Sequence, residues 1–287
     1  MKKSKVLCFV LFFASSLYAH SAAKGSLFII GGGSRSESMM KKFVQLAEQV
    51  KSGKIVVFPM ASSVPDEVGP EQVAEFKKIG AKEVVSFNLT QEQALKPENS
   101  AILDEVGGVY FCGGDQARIM KVLLDTPVQK KLLEIYDNGA VIGGTSAGAA
   151  VMSEVMITGD ERREVKEGHE FETLQAGIVV TSPGLAFIKI AIIDQHFATR
   201  KRHNRLISLV AENPRLLGIG IDESTAVLVN PDETFEVLGE KNVVVYDAAQ
   251  ANITLSPSRA IGIFGMTMHV LLPGTKFDLK QRKILNP

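Results

Sequence analysis

The stretch AVIGGTSAGAA, residues 140–150, decides the fold. Its first four residues form a short apolar run of strand type, and the residues from Ala147 onward are compatible with a helix. Between them Gly144, Ser146 and Gly148 spell Gly-x-Ser-x-Gly. A serine on a sharp turn from a buried strand into a helix is lifted clear of the sheet, and the flanking glycines let the backbone turn and pack closely. The N-terminus of the following helix favours negative charge. Ser146 is therefore the expected nucleophile, and the Ala147 amide an expected oxyanion donor.

The same alternation extends outward. Apolar runs at 26–30, 54–59, 83–87 and 108–112 alternate with helical stretches near 37–51, 71–79, 116–124 and 128–138. This predicts an α/β fold, a mostly parallel central sheet flanked by helices. Short runs at 217–221, 226–229, 234–238 and 243–246, separated by turn residues, predict C-terminal β-hairpins that complete the sheet. With no repeat and no linker visible, residues 24–287 are expected to form a single domain.

The N-terminus reads as a leader. Lys2, Lys3 and Lys5 precede an apolar stretch over 6–18, and Ala19, Ser21, Ala22 and Ala23 supply small residues after it. That is the plan of a secretory signal peptide cut near residues 19–23. The run is shorter than the roughly 20 residues of a spanning helix, so export without stable membrane insertion is expected. Cys8 would leave with the leader, and Cys112 alone makes no internal disulfide. Across 287 residues the formal net charge is +0, which argues against bulk nucleic-acid binding. No Cys/His cluster has metal-ligand spacing.

A serine nucleophile needs a base. His20 lies at the leader boundary, His169 in a charged stretch, His203 among basic residues on a helix, and His269 in a strand-like alternation. His196 ends the apolar run 190–193 in AIIDQHF. Active sites on α/β sheets gather at the C-terminal ends of strands, so His196 is the expected base. The orienting acid is also expected at a strand end. Asp222 and Glu223 both follow LGIGI, and the choice between them stays open on the residues alone. A basic run with Arg200, Arg202 and Arg205 begins four residues after His196, and arginines suit a substrate carboxylate. Gly113, Gly114, Asp115 and Gln116 form another strand-end loop. The Gly114 and Asp115 amides are expected to complete the oxyanion hole, with the Gln116 side chain facing substrate.

Together GGTSAGAAVMS, FCGGDQ, DQHFATRKRHNRL and GIGIDESTA resemble the cyanophycinase branch of the S51 serine peptidase family, over about residues 27–247. The resemblance implies a fold like that of class I glutamine amidotransferases and a triad of Ser146, His196 and Glu223. It implies substrate-pocket positions at Gln116, Asp194, Gln195, Arg200, Arg202 and Arg205. It also implies a peptide-like substrate, cyanophycin or a dipeptide, a homodimer, and neither metal nor organic cofactor. The first glycine turn, GGGSRSE, departs from the acidic run more usual there. Three other readings compete: an S51 exopeptidase for other aspartyl peptides, an esterase using Ser146, Asp222 and His269, and a catalytically silent binding protein.

Overall fold

The computed structural model describes residues 25–166 and 168–286; the leader expected over 1–23 lies outside them. Strand and helix alternate through the first half: β1 (Ser26–Ile30), α1 (Glu37–Glu48), β2 (Lys54–Phe58), α2 (Pro65–Lys78), β3 (Val84–Ser86), the short α3 (Gln91–Ala94), β4 (Val106–Phe111), α4 (Gln116–Leu123), α5 (Pro127–Asp137), β5 (Val141–Thr145) and α6 (Ala147–Ala150). β6 (Val155–Glu161) and β7 (Val179–Pro183) form a separate antiparallel arm. Then come β8 (Ala191–Asp194), α7 (His203–Glu212), β9 (Leu217–Ile221), β10 (Thr225–Val229), β11 (Thr234–Gly239) and β12 (Val243–Asp247). The chain closes with β13 (Asn252–Leu255), β14 (Ile261–Phe264), β15 (Thr267–Leu271), β16 (Lys276–Asp278) and β17 (Lys283–Asn286).

The large sheet has the order β17-β16-β11-β10-β1-β5-β4-β2-β3. From β1 to β3 every pairing is parallel, and from β1 to β17 every pairing is antiparallel, so the sheet is mixed. β10 and β11 complete it beside β1, as the hairpin reading expects. β9 and β12 do not. They join β8 and β15 in a second sheet, β15-β12-β9-β8. Their packing accounts for this. Ile219, Ile221, Val243 and Val245 are buried in the core that also holds Val227 and Val237, while Val244 and Tyr246 are buried with Leu206 and Leu209 of α7. Strands apolar on both faces need cover on both sides.

α2 begins at Pro65, earlier than the sequence pattern suggests. Proline is well placed in a first helical turn, and Asp66 and Glu67 complement the positive end of the helix. One face of the sheet is closed by α1 and α2. There Phe43 lies 5.9 Å from Phe28, 5.4 Å from Phe76 and 5.6 Å from Tyr110, ring centre to ring centre. Such pairs add about 0.5–1.5 kcal/mol beyond burial of their area. α4, α5, α6 and the second sheet contribute to the core on the opposite face. No helix among the described residues is long and apolar enough to cross a membrane.

Because β1, β4 and β5 are parallel, their C-terminal ends open on one edge of the large sheet. β8 and β9 are parallel as well, and the loops that follow them reach that same edge. The candidate site forms where the two sheets meet.

Candidate active site

Ser146 links β5 to α6 with φ 54° and ψ −110°. A side chain rarely adopts that backbone, and it costs on the order of 1–3 kcal/mol. The turn is tight enough to require its glycines. A Cβ on Gly148 would stand 2.3 Å from the Phe111 carbonyl oxygen, and one on Gly144 would stand 2.5 Å from the Gly148 oxygen.

His196 follows β8 and also has a positive φ, 48°. Its Nε2 lies 2.9 Å from Ser146 Oγ, and its Nδ1 lies 2.6 Å from Glu223 Oε1. The His196 side chain is 9% exposed and that of Glu223 26%. Burial holds the His196 pKa below its ordinary value. The hydrogen bond that Nδ1 donates to Glu223 opposes this, and the positive charges of Arg200 and Arg202 reinforce it. These effects together favour the neutral imidazole, the form that can accept a proton.

Three consecutive carbonyls at the end of β1 hold this arrangement. The Ile30 oxygen accepts from the Ser146 amide at 3.1 Å, Gly31 from the His196 amide at 2.7 Å, and Gly32 from the Ser224 amide at 2.9 Å. Gly32 lies directly against the imidazole, where a Cβ would come within 2.3 Å of Cε1. The sequence marks this turn by its glycines but not the role of its carbonyls. Backbone acceptors leave no side-chain pattern, and the glycine triplet after an apolar run is their only trace.

The other expected positions divide. Among the described residues the Gly114 amide and that of Ala147, the first residue of α6, make no backbone hydrogen bond, and Gly113 lies beside Ser146. The Asp115 amide, expected with them, donates instead to the Ala61 carbonyl at 2.9 Å and is not available to an oxyanion. The Asp115 carboxylate caps α4. Gln116 is buried, with its Nε2 on the Ile157 and Thr158 carbonyls of β6, so its Oε1 is what remains for another partner.

Asp194 and Arg205 do not face the site. Arg205 Nε donates to Asp194 Oδ2 at 2.8 Å and its Nη2 to Oδ1, with side chains 3% and 0% exposed. The guanidinium also stacks 5.6 Å from the Phe171 ring. This corrects the expectation that both contact substrate: two buried opposite charges in fork geometry satisfy each other. Arg202 Nη1 donates to both the carbonyl and the Oε1 of Gln195 at 2.7 Å, which fixes that buried glutamine. Burial, with Arg205 close by, lowers the Arg202 pKa to about 10. Arg200 is exposed.

The esterase alternative fails on geometry. Asp222 Oδ1 accepts from the Thr199 amide at 2.9 Å, and the His269 ring packs 5.6 Å from Phe277. His203 bonds the Tyr246 hydroxyl at 2.7 Å and His169 bonds Glu172. Among the described residues no group of three or more His, Cys, Asp or Glu is gathered to hold a metal ion.

An α/β sheet with a serine on a strained strand-to-helix turn, bonded to an imidazole that is bonded in turn to a carboxylate, is the arrangement of a serine hydrolase. Within that class the chain belongs to peptidase family S51, whose family model matches residues 27–237, and it is a serine-type peptidase. It is 34% identical over 273 residues to the cyanophycinase of Nostoc sp. (strain PCC 7120 / SAG 25.82 / UTEX 2576), covering 92% of this chain and 89% of that one. It is 31% identical over 280 residues to the cyanophycinase of Synechococcus elongatus, covering 94% and 84%. The crystal structure of a peptidase from an acI-B1 Actinobacterium shares the fold, with a TM-score of 0.66 at 21% identity, covering 91% of this chain and all of that one.

Proposed function

We propose that this peptidase hydrolyses cyanophycin, a polyaspartate carrying arginines on its side chains, and releases β-Asp-Arg dipeptides from chain ends through an acyl-enzyme on Ser146. The observation that carries the reading is the continuous path from Ser146 Oγ through His196 to Glu223, at 2.9 and 2.6 Å. His196 Nε2 takes the hydroxyl proton as Oγ attacks the carbonyl carbon of an aspartyl peptide bond. Glu223 holds the ring so that Nδ1 keeps its proton, and stabilises the imidazolium that forms. The Gly114 and Ala147 amides receive the oxyanion. The imidazolium then gives its proton to the leaving nitrogen as the C–N bond breaks. Water, deprotonated by the same His196, releases the acyl group.

Arg200, Arg202 and the free Oε1 of Gln116 bind the zwitterionic substrate. With Asp194 and Arg205 paired to each other, the site has fewer free charges than the family pattern implies. This favours, as a second reading, smaller aspartyl or isoaspartyl peptides. Incubating the protein and its Ser146→Ala variant with insoluble cyanophycin, and following dipeptides by mass spectrometry, separates the two. β-Asp-Arg released by the wild type alone supports the first. Cleavage of aspartyl dipeptides without release from the polymer supports the second and rejects the first.

The same reading includes export and pairing into a homodimer. The leader pattern supports the former. The exposed Met268 and Val270 of β15, with Leu272 just after it, supply an apolar face for the latter. N-terminal sequencing of protein recovered outside its host's cytoplasm and light scattering in solution check them.

A further inference from the structure

The turn that carries the β1 carbonyls is tied down at its far end by one side chain. Arg35 Nη1 donates to Gln72 Oε1 at 2.9 Å and to the Tyr110 hydroxyl at 3.0 Å, and its Nη2 donates to Glu75 Oε2 at 2.8 Å. Gln72 completes the cluster by donating to the same Glu75 oxygen at 3.0 Å. Tyr110 is fully buried in β4, and Gln72 and Glu75 belong to α2. A single guanidinium thus joins the glycine turn to the sheet and to a helix on its flank, in a planar fork that an ammonium cannot copy. Between this anchor and the end of β1 lie Gly31 to Gly33, residues with little conformational preference of their own, and Ser34. The Gly31 carbonyl receives the His196 amide, and Gly32 bounds the imidazole.

We propose that Arg35 is a positioning residue for the reaction: by fixing the Gly31–Gly33 turn to α2 and Tyr110, it sets the place of His196 between Ser146 and Glu223. The proposal rests on the active-site reading above. Arg35 touches no reacting atom. It acts through the turn, whose glycines are otherwise held by main-chain hydrogen bonds with Thr225, His196 and Ser224, and in such a site a displacement of about 1 Å costs on the order of 100-fold in rate. Arg35 lies in the GGGSRSE segment that follows β1.

Two readouts on wild type, Arg35→Met and Arg35→Lys test this. One is the rate at which a fluorophosphonate labels Ser146. The other is the far-downfield proton NMR signal of an imidazole N–H donated to a carboxylate, assigned to His196 by its loss in His196→Gln. Thermal unfolding establishes which variants are folded. Folded Arg35→Met should label on the order of 10–100-fold more slowly, with the signal shifted or broadened, and Arg35→Lys should recover part of both. A folded Arg35→Met with the wild-type labelling rate and an unmoved signal overturns the proposal. If Arg35→Met does not fold, Arg35→Lys decides. It keeps a cation beside Glu75 but cannot span all three partners, so wild-type behaviour in it is equally fatal. Failure of the active-site reading looks different: phosphonate would label wild type and Ser146→Ala alike, or neither. The His196 signal, which needs no turnover, would still decide the role of Arg35, and its absence from the wild type would overturn that role.

Discussion

Asp222 and Glu223 are chain neighbours whose carboxylates serve different partners: Glu223 Oε1 lies 2.6 Å from His196 Nδ1, and Asp222 Oδ1 lies 2.9 Å from the Thr199 amide. One orients the imidazole, and the other holds the turn that follows it. Their substitutions should separate cleanly. Glu223→Gln should lower kcat by on the order of 10²–10⁴-fold with little loss of stability, because an amide no longer fixes the tautomer. Asp222→Asn should keep kcat within about tenfold and lose about 1–3 kcal/mol in denaturant unfolding. The reverse pattern would assign the acid to Asp222.

Strain at Ser146 predicts an opposition of activity and stability. Ser146→Gly should abolish peptide hydrolysis and raise stability by about 1 kcal/mol, since glycine tolerates φ 54° without the penalty. Ser146→Ala should be equally inactive without that gain. Calorimetry of the two variants beside the wild type checks this, and equal melting temperatures would deny that the turn is strained.

The depressed pKa of His196 sets the acid limb of the pH profile. The neutral ring is the competent form, so kcat/KM rises with pH through the His196 pKa. Burial holds that pKa below 6.5, so half-maximal kcat/KM should fall below pH 6.5. Arg200→Gln removes a positive charge that lowers it further. The limb should then move to higher pH, and only slightly because Arg200 is exposed. A profile whose limb stays fixed or moves down contradicts this electrostatic account.

Asp194 offers a test of structural against substrate-binding roles. Asp194→Ala leaves the Arg205 guanidinium buried without its partner and should cost about 3–5 kcal/mol. Replacing both residues by apolar ones of similar volume should restore most of that loss. A substrate contact would behave otherwise, raising KM at unchanged stability, so urea unfolding alongside kinetics decides the matter.

Much of this site was legible in the residues. The Gly-x-Ser-x-Gly turn between an apolar run and a helix located Ser146, and the end of the run 190–193 located His196, because strand ends of parallel sheets converge. The direction of individual charged side chains was not legible. Asp194 and Arg205 share a motif with His196, yet they turn inward, and nothing in their spacing marks the fork they form. Sheet membership was equally hidden. β9 and β12 read like their neighbours β10 and β11 and differ in what covers their second face, a property of packing. The β1 carbonyls had no side chains to announce them.

That last feature bears on when the protein becomes dangerous. β1 leaves the ribosome first among the described strands, yet its sheet neighbours are β5 and β10, and its terminal carbonyls wait for amides from Ser146, His196 and finally Ser224. A nascent chain that already carries the serine and the histidine has no assembled site until β10 closes against β1, and contacts so distant along the chain form late. The fold therefore acts as its own zymogen. Hydrolytic power arrives as a property of the finished molecule.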